Sequence, residues 1–110
     1  MTREQQERFR PLIEARMREA EAEITQSKED VKPISPDVGI GRLSRLDSMQ
    51  MQQMALEARR RQQMLLTRLQ EARKRVDRGT FGTCLQCGRD IAQERLRHQP
   101  DALLCIDCAR

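Results

Sequence analysis

All four cysteines of this 110-residue chain fall in its last 27 residues, as Cys84-Leu-Gln-Cys87 and Cys105-Ile-Asp-Cys108 with 17 residues between the pairs. Two CxxC pairs at this separation match the spacing of a four-cysteine structural zinc site. Two intervening residues let both sulfurs of a tight turn reach one ion at ~2.3 Å, and Gly88 permits the first turn to reverse. The segment has little to bury beyond Leu85, Ile91, Leu96, Leu103, Leu104 and Ile106. Metal binding of ~10–16 kcal/mol supplies what so small a core lacks. Sulfur at all four positions leaves no place for substrate or activated water, so the expected zinc is structural. His98, the only histidine, is expected on the surface and not as a ligand. A catalytic dithiol would require a βαβ setting, which this segment does not offer. Between the pairs, Asp90 to Arg97 is expected to form about two helical turns with Ile91 inward, ended by Pro100. Short strands are expected around Phe81–Thr83 and Leu103–Leu104.

The rest of the chain follows a helical period. Phe9, Ile13, Met17 (or Arg16), Ala20, Ile24, Ser27 and Val31 recur at steps of three and four, with Glu and Arg between them. That stripe predicts a helix of about 25–29 residues, with Pro11 at its first regular turn and an end before Pro33. Residues 32–43 concentrate two Pro and two Gly and read as a turn. Ser44 or Asp47 can cap the second helix. From about Leu43 to Arg78 the period returns, with Met51, Ala55, Ala58, Gln62, Leu65, Leu69, Ala72 and Val76 as a heptad-like seam. Gly79 supplies the stop. About 34 residues of helix make a rod of about 50 Å.

Neither stripe can be hidden by its own helix. Nor can a large globular core form, because the chain has two Phe and no Trp or Tyr. The expected architecture is therefore all-α: an antiparallel coiled-coil hairpin over 1–78, with a tip loop at about 32–46, then a zinc finger over 79–110. A monomer is expected if the helices pair within one chain; pairing between chains in a dimer is the alternative. Methionines 49, 51, 54 and 64 read as a flexible core stripe, with oxidation sensing as the other reading.

Charge narrows the function. Residues 1–31 carry a net −2, 32–47 a net +1, 48–83 a net +5 and 84–110 none, within an overall +4. Four thiolates on one Zn²⁺ would lower that total by about two, which weakens any argument for nucleic-acid binding from charge alone. No apolar run approaches the ~18 residues of a membrane span. The first eight residues, Met1 to Arg8, lack the apolar segment of a secretory signal, so a cytoplasmic protein is expected. No nucleophile–base pair or open metal site is present, and an enzyme is not expected.

The segment Gly79-Thr-Phe-Gly-Thr-Cys84-Leu-Gln-Cys87-Gly88, with Ile91, Arg95-Leu96, Pro100 and Leu104-Cys105-Ile-Asp-Cys108, resembles the zinc-finger signature of the DksA/TraR family of bacterial transcription regulators. The hairpin before it matches that family's architecture, so the resemblance extends over nearly the whole chain. It implies a protein that does not bind promoter DNA but docks on RNA polymerase and inserts its coiled coil into the secondary channel. Acidic side chains at the tip would then approach the active-site region, often together with the alarmone ppGpp. The family's Asp-x-x-Asp-x-Ala tip motif is absent, since counting back from Cys84 places its positions on Gly41, Ser44 and Leu46. Asp37 and Asp47 are the acids left for that role, with Arg42 and Arg45 beside them; for Asp47 a helix-capping role is the competing reading. The C-terminal helix of longer members is not expected after Cys108. Both departures bear on ppGpp-dependent action more than on polymerase docking.

Two other classes compete. Arg59-Arg60-Arg61 and Arg73-Lys74-Arg75 could contact phosphates as a nucleic-acid-binding module, but there are no aromatics to stack bases. Sequence-specific DNA binding is not expected, and the Arg59–Arg61 run reads as a solvated face or a docking surface for polymerase. A zinc store or redox sensor, releasing metal on thiol oxidation, is the third class.

Overall fold

A computed structural model describes residues 1–30 and 42–109, with side chains over 1–26 and 46–109. Its long elements are α1 (Arg3–Asp30) and α2 (Arg42–Arg78), then come the short α3 (Gln93–His98) and α4 (Ile106–Ala109). The molecule measures 62 × 28 × 19 Å, a stalk with a small head at one end.

α1 starts with a reciprocal cap. The Gln5 N–H donates to Thr2 Oγ1 at 3.1 Å while the Thr2 N–H donates to Gln5 Oε1 at 2.9 Å. This Thr-x-x-Gln box satisfies two amides that the first turn would otherwise leave unpaired. The helix thus begins at Arg3, eight residues before Pro11, which lies inside it. Pro11 is exposed, while Phe9 and Ile13 on either side of it are buried. Packing of those two side chains outweighs the one backbone bond that proline removes.

α1 and α2 pack antiparallel. The guanidinium of Arg3 donates to the Asp77 carbonyl at 3.0 Å, and Arg10 meets the Asp77 carboxylate at 2.6 Å. The seam is formed by Phe9, Ile13, Met17 and Ala20 from α1 against Leu69, Ala72 and Val76 from α2, all buried. Farther along, Ile24 and the α2 residues Ala55, Ala58, Gln62 and Leu65 are half-buried. The expected positions Ser27 and Val31 lie outside the described side chains, and residues 32–41 of the expected tip loop lie outside the described residues.

Three expectations for α2 change. The helix starts at Arg42, inside the loop expected to run to 46, so Ser44 and Asp47 lie within it and neither caps it. Met51, placed in the seam by its period, is 70% exposed. Met49, Met54 and Met64 are exposed too, so the methionines are not a core stripe. Phe9 and Ile13 share the core at the stalk's base with Val76 and Ala72, and position 51 lies toward the other end of α2, outside that core.

α2 ends as a Schellman motif: Gly79 N–H donates to the Val76 carbonyl at 3.1 Å and Thr80 N–H to the Arg75 carbonyl at 2.9 Å. Gly79 takes φ +78°, where a side chain is strained, and a Cβ there would also run into the Arg3 guanidinium.

Candidate metal centre

Beyond Gly79 the chain folds back on the base of the stalk. Phe81 is buried and its ring lies 5.4 Å from that of Phe9 on α1. Gln6, also buried, holds this turn from α1: its amide donates to the Gly79 carbonyl at 3.1 Å, and its carbonyl accepts the Phe81 N–H at 3.1 Å. The head therefore shares one core with the stalk, in which Ile91, Leu96 and Cys84 join Phe9, Ile13 and Val76.

The first cysteine pair sits on a narrow reversal. Ile91 N–H donates to Gly82 O at 2.7 Å, Cys84 N–H to Arg89 O at 2.8 Å and Gly88 N–H to Cys84 O at 3.0 Å. Gly88, at φ +76°, makes the turn between Cys87 and Arg89. Among the described residues a lone antiparallel bridge, Thr83 to Asp90, replaces the strand expected at Phe81–Thr83. No strand forms at Leu103–Leu104 either; the Leu103 carbonyl accepts the Leu85 N–H at 3.0 Å and so ties the two cysteine segments together. A strand would need a paired neighbour on each ladder position, and these turns are too short to provide one.

α3 lies between the pairs and buries Leu96. It spans Gln93–His98, starting later than expected, so Ile91 is buried just ahead of the helix and not on it. Arg95 reaches across to donate from Nε to the Leu104 carbonyl at 3.1 Å, and Pro100 is buried behind it. Cys105 and Cys108 flank the start of α4, with Ala109 N–H bonded to Cys105 O at 2.9 Å. Of the apolar residues expected to fill this segment, Leu85, Leu103 and Ile106 are exposed. Phe81 and the α1 residues fill the space instead.

The result brings four sulfurs together. The Sγ atoms of Cys84, Cys87, Cys105 and Cys108 all lie within 4.8 Å of one another, and those of Cys87 and Cys105 are 3.7 Å apart. A tetrahedron of Zn–S bonds of ~2.3 Å has sulfur–sulfur edges of about 3.8 Å, so the cluster fits one zinc ion. Its electrostatics agree. Backbone N–H groups of Cys87 and Cys105 hold the Cys84 thiol down to about 6. Cys108 is pushed up to about 12, first by its hydrogen bond with Cys105 and then by burial. Four crowded thiols cannot all ionise without a cation to share them. Cys84 is buried, Cys105 and Cys108 are half-buried, and Cys87 is exposed. His98 is exposed on α3, outside this cluster.

The other expected residues fall elsewhere. Asp37 lies outside the described residues. Asp47 is exposed near the start of α2. Consecutive residues point about 100° apart on a helix, so the arginine run is not one surface: Arg60 and Arg61 are exposed, whereas Arg59 is half-buried and its Nε has no hydrogen-bond partner among the described residues. In the second run, Lys74 pairs with Glu71 at 3.3 Å, and burial pushes the half-buried Arg75 down. Gln6 was not among the expected residues, although it stands three positions before Phe9 on the period of the α1 stripe; that signal marks its burial but not its bonds to the turn after α2.

Residues 79–110 match the family described as Prokaryotic dksA/traR C4-type zinc finger. The RNA polymerase-binding transcription factor DksA of Haemophilus influenzae is 40% identical over 53 residues, covering 48% of this chain and 37% of that protein. The protein of the same name from Escherichia coli is also 40% identical over 53 residues, covering 48% and 35% respectively. The chain thus matches little more than a third of the length of these relatives. The solved structure of transcription factor DksA2 from Pseudomonas aeruginosa superposes with a TM-score of 0.76 at 28% identity, over 96% of this chain and 80% of that one. The head is a zinc finger carrying one structural zinc. No helix among the described residues is long and apolar enough to cross a membrane.

Proposed function

We propose that the chain is a member of the DksA/TraR family and that it regulates bacterial transcription by binding RNA polymerase, entering the secondary channel with the far end of its stalk. The observation that carries this reading is the likeness to a DksA2 structure over 96% of the chain, stalk and finger together. A match confined to the finger would have fitted many zinc proteins. The organisation is a stalk over 1–78 and a finger over 79–110.

Cys84, Cys87, Cys105 and Cys108 hold the zinc, which when bound neutralises four thiolates and pins both turns in one arrangement. Its coordination is then complete, so the protein acts by contact and not as an enzyme. The finger fixes the base, and α2, at 37 residues or about 55 Å, carries the working end. Asp47 is the described carboxylate nearest that end, and Arg60 and Arg61 offer cations along the shaft for docking. The compartment is that of the polymerase, the cytoplasm. Both phenylalanines are buried, which leaves none to stack on bases and disfavours a nucleic-acid-binding module.

The test is a photocrosslinker at position 47 of the zinc-loaded protein, mixed with core polymerase. Crosslinks to polymerase are expected, and Asp47→Asn should blunt the transcriptional effect while leaving affinity unchanged. Failure of the protein to co-purify with polymerase overturns the reading.

A further inference from the structure

The methionines of α2 occupy an unusual setting. Met49, Met51 and Met54 are 57%, 70% and 68% exposed, whereas Met17 in the stalk core is 6% exposed. From Ser48 to Leu56 no side chain carries a charge, in a chain that is 35% charged. Met49 and Met54, with Leu46, Gln50 and Gln53, line an open groove of about 410 Å³. Met51 stands about 60° round the helix from Met54. Where α2 simply buries apolar surface it uses residues such as Leu69 and Val76; at its far end it presents three thioethers to solvent beside one leucine, Leu46. Leucine would give the same apolarity. What methionine adds is a sulfur that can be oxidised and restored.

We propose that Met49, Met51 and Met54 form a reversible oxidation site whose substrate is a hydroperoxide, and that its oxidation turns this face of the stalk from apolar to polar without unfolding the protein. The thioether sulfur attacks the outer oxygen of the hydroperoxide and the O–O bond breaks. Sulfur gains the oxygen and is oxidised by two electrons to the sulfoxide, while the peroxide is reduced and leaves as water or an alcohol. A thiol-dependent sulfoxide reductase reverses this: two thiols become a disulfide, and the oxygen leaves as water. The fold survives because these sulfurs already face solvent, so the new S=O dipole is not buried. Oxidation of Met17, by contrast, would place that dipole in the seam. Resting on the polymerase reading, the sulfoxides would sit on the end of the stalk that enters the channel, and would weaken that contact.

The experiment treats the full zinc-loaded chain with hydrogen peroxide and tracks oxygen uptake by peptide mass mapping, with helical circular dichroism and zinc release read in the same samples. Met49, Met51 and Met54 should gain oxygen at least about tenfold faster than Met17, with helicity unchanged and the gain removed by methionine sulfoxide reductase. Equal rates at Met17, or helicity lost in step with oxidation, overturns the proposal. Polymerase affinity should then fall about tenfold on oxidation, return with the reductase, and stay unmoved in M49L/M51L/M54L. If the loss persists in that variant, it belongs to other oxidisable groups, the cysteines or Met64, and the switch is overturned. If neither form binds polymerase, the polymerase reading fails, while the mass map still decides the oxidation site.

Discussion

The side-chain carbonyl of Gln6 accepts the backbone N–H of Phe81 at 3.1 Å, across 75 residues of sequence. The same side chain donates to the carbonyl of Gly79, so one amide on α1 satisfies both sides of the turn that leaves α2. Phe81 is three residues before Cys84, and both are in the core that α1 closes. Stalk and finger are therefore joined through α1 packing as well as through the covalent end of α2. A finger hung only from Gly79 would swing; one held at Gln6 and Phe9 has a fixed direction.

Gln6→Leu should cost about 2 kcal/mol of stability, because it strands the buried Phe81 N–H and removes the donor to the part-buried Gly79 carbonyl. Urea unfolding of the zinc-loaded protein reads the loss, and hydrogen exchange at the Phe81 amide should accelerate. Zinc content should stay at one per chain, since the four sulfurs lie on other segments. A variant as stable as the parent would mean that the clamp contributes nothing.

Replacing any one of Cys84, Cys87, Cys105 or Cys108 by Ser should unfold the last ~30 residues and leave most of the helical signal in place. Three thiolates bind zinc far more weakly than four, and the finger's own apolar residues are partly exposed, so metal binding is its main source of stability. Strong chelation of the parent protein should give the same partial unfolding. Amide dispersion in the C-terminal segment and metal analysis check both, and a protected segment without zinc would refute the ligand assignment.

Two glycines should respond unequally to alanine. Both Gly79 and Gly88 have positive φ, which costs a side chain about 1–2 kcal/mol. A Cβ at Gly88 meets nothing within 4 Å, but at Gly79 it collides with Arg3. Gly79→Ala should thus be the more destabilising, by displacing the Arg3 bond to Asp77 as well. Thermal melts of the two zinc-loaded variants test the order.

How much of this was legible in the sequence depends on where the determining contact lies. The two CxxC pairs needed only local turn geometry and one shared ion, and their sulfurs come together as that spacing implies. The α1 stripe from Phe9 to Ile24 and the α2 seam from Ala55 to Val76 were readable because each helix has the other alongside. Gly79 was readable because a helix stop is local. The role of Gln6 was not, since it arises from a partner 75 residues away. α4 was missed because four residues are too few for a period. Met51 misled for a different reason: periodicity reports which residues share a face, and says nothing of whether that face is covered.

That distinction can be measured on α2. Leu69 has no exposed surface and Met51 is 70% exposed, yet both occupy the same heptad-like seam. Leu69→Ala should cost about 2–5 kcal/mol through lost burial and the cavity left behind. Met51→Ala should fall within about 0.5 kcal/mol of the parent, as surface substitutions do, with alanine's helix propensity offsetting the small loss of contact. Urea unfolding of the two zinc-loaded variants compares them directly. Similar losses would mean that the stalk is packed to its far end and that the exposed methionines are covered in solution. A large difference would locate the stalk's stability in its base, beside the finger, and leave the distal face free for a partner.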